Sequence, residues 1–235
     1  KLRPKNELEA YYVQSLFHEY LTSSGYGSIS GRKIGCTAKV MQDYLGIKTP
    51  CVGGIYSSQI QKINGELLFD DFIRPGVECE IAVILDADLG DSGFVYDRYS
   101  VEPFVSSVMC AIEIVDDRWI DYKSVDTSSL ISDDFFASGC VVGEYKNPSQ
   151  INLSEVRGSI LVRDELVGVG IGSDIMGHPF EALAWLANFF SDRSDYLRKG
   201  EIISLGSIVE TIWVKKGDQV EVRIENLGNV KVNFL

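Results

Sequence analysis

Arg74-Pro75-Gly76-Val77-Glu78-Cys79-Glu80-Ile81-Ala82-Val83-Ile84-Leu85 opens on a proline–glycine pair and then runs apolar with two acids set into it. From Val77 to Leu85 the residues alternate and are rich in β-branched types, which predicts a strand. Side chains alternate along a strand, so Glu78 and Glu80 project from one face and Cys79 from the other. Val77, Ile81 and Val83 make the strand apolar enough to be partly buried. Two carboxylates side by side in such a place repel and lose hydration, an arrangement that is costly unless compensated. A divalent cation is the most direct compensation, and a solvated strand face is the ordinary alternative for an isolated Glu-x-Glu. Glu113 shifts that balance. It is the one acid within the apolar run Cys110-Ala111-Ile112-Glu113-Ile114-Val115, which predicts a second strand, and acids are rarely buried without a partner. Three oxygen ligands with no histidine or thiolate suit Mg²⁺ or Mn²⁺ better than zinc or copper.

Outward from these strands the chain reads as a strand-rich α+β fold with a helical N-terminal portion. Asn6 can cap a helix running to Leu21, with Glu9 reaching back as in a capping box, and Gly25 and Gly27 end it. Gly31-Arg32-Lys33-Ile34-Gly35 predicts a short strand entering a turn, and Thr37 a helix over residues 39–45 closed by Gly46. Pro50 to Pro75 reads as irregular, with turns at Gly53-Gly54 and Asn64-Gly65. Ser100 and Pro103 open a short helix. Hairpins follow over 159–170, turning at Arg163-Asp164-Glu165, and over 220–234, turning at Asn226-Leu227-Gly228-Asn229. Between them Pro179 starts a helix whose Phe180, Leu183, Ala187 and Phe190 form an apolar stripe. No repeat or composition break divides the chain, so residues 1–235 read as one domain, helical over 1–30.

Composition narrows the function. The 235 residues carry a formal charge of −12, with 45% hydrophobic and 24% charged residues, an ordinary globular balance. Without basic clusters, nucleic acid and anionic membrane surfaces are disfavoured as partners. No apolar run approaches the ~20 residues of a membrane-spanning helix, and no secretory or transit signal is read. Five cysteines at 36, 51, 79, 110 and 140, with no Cys-x-x-Cys pair, fit reduced thiols in a cytoplasmic compartment rather than a disulfide scaffold or zinc knuckle. His18 lies on a helix surface pattern and reads as structural; His178 precedes Pro179 and reads as a cap or packing residue. No Ser-His-Asp or Cys-His arrangement is supported, and Gly168-x-Gly170-x-Gly172 lies in a hairpin, so it is not a dinucleotide fingerprint.

Five blocks in order resemble the 2-keto-4-pentenoate hydratase family of the fumarylacetoacetate hydrolase superfamily, which includes 4-oxalocrotonate decarboxylases. They are Gly31-Arg32-Lys33-Ile34-Gly35-Cys36-Thr37, Arg74 to Ala82, Ala111-Ile112-Glu113-Ile114-Val115-Asp116, Gly177-His178-Pro179 with Ala184-Trp185-Leu186-Ala187-Asn188, and Leu205-Gly206-Ser207. The resemblance runs from about residue 30 to the end, and the blocks are specific together. It implies a mixed β-roll over 31–235 around a Mg²⁺ or Mn²⁺ site with Glu78, Glu80 and Glu113 as ligands; the interval of 33 residues between Glu80 and Glu113 is close to the family's. It also implies Lys33 as the active-site lysine, binding substrate carboxylate or moving a proton, and Ser207 on the substrate side; Asp133 and Asp134 fall near a family acidic position. From the residues alone, Lys33 reads as a surface lysine in a turn.

The activity implied is a lyase acting on a small 2-oxo acid. The cation would stabilise the enolate of a 2-hydroxypenta-2,4-dienoate-type substrate, and proton transfer would convert that dienol to an α,β-unsaturated ketone. Water would then add at the far carbon to give a 4-hydroxy-2-oxo acid. Two positions depart from the family pattern. Its Pro-Asp-x-Gly stretch is here Pro50-Cys51-Val52-Gly53, and a frequent Asp-Asp pair aligns near Ser57-Ser58. The metal half of the site is therefore expected intact and the proton-transfer half altered. A 4-oxalocrotonate-type decarboxylase and a catalytically degenerate partner subunit stand as alternatives, with a C–C bond hydrolase behind them. A homo-oligomer is implied, possible also with a related decarboxylase or hydratase.

Overall fold

The computed structural model describes residues 3–38, 41–43, 46–90, 93 and 95–235. In chain order its main elements are α1 (Glu7–Leu21), β1 (Ile29–Gly35), β2 (Cys51–Tyr56), β3 (Ile60–Lys62), β4 (Asn64–Leu67), β5 (Pro75–Leu85), β6 (Leu89–Gly90) and α2 (Arg98–Val101). There follow β7 (Val105–Asp116), α3 (Thr127–Ser132), β8 (Ala137–Val142), β9 (Arg157–Val162), β10 (Glu165–Ile171), α4 (Pro179–Ser191) and β11 (Tyr196–Leu197). The chain closes through β12 (Ile202–Ser207), β13 (Ile212–Trp213), β14 (Gln219–Ile224) and β15 (Gly228–Phe234). The larger sheet has the order β2-β1-β12-β5-β7-β8-β3, with β13 also pairing β5; the second is β10-β9-β14-β15-β4.

The two long strands β5 and β7 form the backbone of the roll, antiparallel from Pro75↔Asp116 to Leu85↔Val105. Their alternation separates two environments. Cys79, Ile81, Val83, Cys110, Ile112 and Ile114 enter the main core, which is completed by α4 and by Ile160, Val222 and Val232 of the second sheet. Ala82, Met109 and Ala111 turn the other way and pack with Ile55, Cys140, Val142 and Ile202 inside the curled sheet. β2, at one end of that sheet, lies against β8 and against the turn Asp134–Phe136, so the sheet curls toward closure. Glu78, Glu80 and Glu113 share the parity of the inner cluster, which puts them inside the roll.

Most predicted elements are present. Asn6 caps α1 by accepting from the Glu9 amide at 2.9 Å, while the Glu9 carboxylate accepts from the Lys5 amide rather than from Asn6. Gly25 and Gly27 are left-handed where α1 ends in a π-helical turn. Both hairpins form, and His178 caps α4, its Nδ1 accepting from the Phe180 amide. The helix expected over 39–45 lies partly outside the described residues; 41–43 are helical.

The irregular reading of Pro50–Pro75 is corrected. Gly53-Gly54 is not a turn but the middle of β2, a strand buried along its whole length. The glycines are needed for close approach: a Cβ on Gly53 would meet the Asp134 carbonyl oxygen at 2.7 Å, and one on Gly54 would meet Ile29 and His18 at 2.7 and 2.9 Å. Asn64-Gly65 begins β4, parallel to β15, and the left-handed residue between β3 and β4 is Ile63 (φ 64°). The strands Ala137–Val142 and Ile202–Ser207 were not expected from the sequence.

Candidate metal centre

Glu78 and Glu113 are direct cross-strand partners on β5 and β7, and Glu80 lies two residues further along the same face, opposite Ala111. Each offers a carboxylate oxygen, and these atoms all lie within 4.8 Å of one another. Glu80 is 0% and Glu113 2% exposed, with Glu78 half-buried. Glu80 accepts from the Gly206 amide at 2.7 Å through Oε2, while its Oε1 has no hydrogen-bond partner among the described residues. Gly206 must be glycine: φ is 127°, and a Cβ would strike the Thr37 side chain at 2.5 Å. Glu78 accepts from the Thr211 hydroxyl.

Lys33 projects from β1 into the same space, correcting its reading as a surface lysine. It is 3% exposed, with Nζ 2.8 Å from Glu113 Oε1 and 5.3 Å from the centre of the Phe135 ring. Burial disfavours its charge, but Glu113, Glu78 and Glu80 outweigh burial and hold the ammonium protonated. The carboxyls move upward. Burial raises Glu80 most, reinforced by Glu113 and Glu78. Burial also lifts Glu113, against the pull of Lys33, to about 7. With all three acids ionised, one lysine would leave negative charge unbalanced, and the upward shifts of Glu80 and Glu113 express that strain.

That imbalance tests whether these residues suit a cation. Glu80 Oε1 is orphaned, Glu113 Oε1 has the Lys33 contact but no hydrogen bond of good geometry, and a carboxylate cage without nitrogen or sulfur suits a hard dication. The residues fit one.

Ser207 pairs in register with Glu80, and its hydroxyl is anchored on backbone, accepting from the Cys79 amide at 3.1 Å and donating to the Val209 carbonyl at 2.7 Å. Cys51 sits two residues before Gly53, which faces Lys33 across β1 and β2. Burial raises its thiol well above the ordinary range, and Cys36 nearby is pushed up to about 12. Neither replaces a carboxylic acid as a proton donor near neutrality. Sequence reasoning missed Phe135, Thr211 and Ser204. Ser204 pairs in register with Lys33, and its fully buried hydroxyl has no hydrogen-bond partner among the described residues. His18 is not a surface residue: its side chain is 12% exposed and pairs with Asp134. No local signal marks these contacts, all of which join distant segments.

A roll with a carboxylate cage and a buried lysine defines a class that comparison with known proteins makes specific. Residues 67–234 match the fumarylacetoacetate (FAA) hydrolase C-terminal family, and the chain belongs to that family. It is 30% identical over 234 residues to a 2-hydroxyhexa-2,4-dienoate hydratase of Comamonas testosteroni, covering 98% of this chain and 88% of that one. It is 32% identical over 229 residues to a 2-keto-4-pentenoate hydratase of Paraburkholderia xenovorans strain LB400, covering 96% and 83%. Among solved structures it resembles 4-oxalocrotonate decarboxylase from Pseudomonas putida G7 complexed with magnesium and adipate, with a TM-score of 0.92, 26% identity and coverage of 98% and 86%. No helix among the described residues is long and apolar enough to cross a membrane.

Proposed function

We propose that the protein is a divalent-metal-dependent lyase on small 2-oxo acids, hydrating a 2-hydroxypenta-2,4-dienoate-type substrate to a 4-hydroxy-2-oxo acid. The observation that carries this reading is the cluster of Glu78, Glu80 and Glu113, with Glu80 Oε1 left without a hydrogen-bond partner among the described residues, facing Lys33 inside the roll. Glu78, Glu80 and Glu113 would hold Mg²⁺ or Mn²⁺, which would supply Lewis-acid polarisation of the 2-oxo group. Lys33, kept charged by its neighbours, is suited to binding the substrate carboxylate rather than to giving up its proton near neutrality. Ser207, fixed opposite Glu80 on the backbone of β5, lies on the substrate side. The inner cluster around Ile55, Met109 and Ile202 gives the inside of the roll an apolar, buried lining next to the carboxylates.

Cys51 favours one second reading, a decarboxylase of the 4-oxalocrotonate type, because the acid often found at this position in the hydratases that the sequence resembles is absent. Purified protein with Mn²⁺ and 2-hydroxypentadienoate decides between them. Metal-dependent loss of the dienol absorbance without CO₂ supports hydration, and CO₂ released from 4-oxalocrotonate supports the second reading. No turnover of either, with no binding of oxalate in the presence of metal, identifies a degenerate subunit instead.

A further inference from the structure

We infer that His18, acting through Asp134, is a positioning residue for Lys33, an inference that rests on the lyase reading above. Asp134, Phe135 and Phe136 are three successive non-glycine residues with left-handed backbones, at φ 62°, 47° and 66°. Each such residue costs of order 1–3 kcal/mol, so the turn persists only where its surroundings hold it.

Two contacts on one oxygen hold it. Asp134, 2% exposed, accepts from the Gly54 amide at 2.8 Å through Oδ1, and the same Oδ1 lies 2.7 Å from His18 Nε2. Because the carboxylate accepts, Nε2 donates. The clasp therefore ties α1 to β2 through the strained turn. Gly54 carries no Cβ on this side, where it would meet His18 Nε2 at 2.9 Å.

The turn in turn boxes in Lys33. It sets the Phe135 ring beneath Nζ and the Asp134 carbonyl over Gly53, the residue opposite Lys33. There is no slack between these groups. A Cβ on Gly53 would meet the Asp134 carbonyl at 2.7 Å and Lys33 Cε at 3.1 Å, and one on Gly35 would meet the Phe135 ring at 2.8 Å. Movement of the turn therefore moves the lysine relative to the carboxylates. The glutamates are fixed independently, by β5, β7 and Gly206. Loss of the clasp should thus misplace Lys33 while the metal cage stays intact.

The test compares His18→Leu, His18→Gln and Asp134→Asn in the full chain by turnover, by calorimetric titration with Mn²⁺ alone, and by exchange of the Gly54 amide. Misplacement on the scale of an ångström costs about 100-fold in rate, so His18→Leu should lose about that in kcat. Its Mn²⁺ affinity should stay within about twofold of wild type, and Gly54 exchange should accelerate. His18→Gln, which restores a donor, should recover most of both readouts, and Asp134→Asn, which keeps an acceptor oxygen, should lose less than His18→Leu. Wild-type kcat and Gly54 protection in His18→Leu would overturn the inference, as would Mn²⁺ affinity falling in step with kcat or equal losses in His18→Leu and His18→Gln. Should His18→Leu fail to fold, the Gln and Asn variants decide by the same readouts. If the wild-type protein itself has no turnover, the lyase reading fails, and Gly54 exchange still decides the positioning role.

Discussion

Replacing Lys33 by methionine removes one charge and keeps an unbranched stem in the same space. In the metal-free protein this lysine is 3% exposed and makes the one ion pair that Glu113 has among the described residues, at 2.8 Å. Breaking a buried pair from one side leaves an uncompensated charge and costs about 3–5 kcal/mol. With an unfolding entropy near 2.1 cal/mol/K per residue, a chain of 235 residues changes by about 0.5 kcal/mol per degree. Metal-free Lys33→Met should therefore melt about 6–10 °C below wild type at pH 8. The gap has a defined pH dependence. Burial lifts Glu113 to about 7, so at pH 5 the cage takes up protons and no longer needs the lysine, and the gap narrows. Saturating Mn²⁺ narrows it as well, because its charge lies among the same oxygens. Thermal melts at pH 5 and pH 8, in EDTA and in Mn²⁺, give the four values required. A gap that is absent at pH 8 in EDTA, or that is equal under all four conditions, would refute the proposed balance of charges.

Two further outcomes follow from the same cage. Glu80 and Glu113 are raised above their unfolded value of 4.5, so the folded metal-free protein holds more protons than the unfolded chain. The contribution of these two carboxyls is fully present below about pH 4.5, and the part from Glu113 is lost as pH rises through about 7. The difference between urea midpoints of wild type and Glu113→Gln in EDTA isolates that part, while Mn²⁺ affinity rises across the same window as protons are displaced. Gly53→Ala places a Cβ 2.7 Å from the Asp134 carbonyl and 3.1 Å from Lys33 Cε, so overpacking should cost about 1–3 kcal/mol and lower kcat more than metal affinity.

Much of the site was legible because strand alternation is a local rule. Glu78 and Glu80 had to share a face, and an acid amid Ile112 and Ile114 had to find a partner. The family resemblance then indicated Lys33, whose burial has no local signature: its surroundings come from β2, β7 and the turn after α3. Gly53-Gly54 misled for a physical reason. A glycine pair reads as a turn when only its own flexibility is considered, whereas here the missing Cβ atoms admit Lys33, His18 and a distant carbonyl. Asp134-Phe135-Phe136 was beyond reach, since nothing in three ordinary residues announces left-handed backbone imposed by tertiary contacts. The strand Ile202–Ser207 escaped because it is buried almost throughout and shows no polar alternation.

The most direct measurement is an anomalous-scattering map from a crystal grown with Mn²⁺ and oxalate. A single manganese peak bonded to Glu78, Glu80 and Glu113, with oxalate on the side of Lys33, is the expected result. Manganese absent from that cage, or bound elsewhere with the three carboxylates left to Lys33 and Gly206 alone, would contradict it.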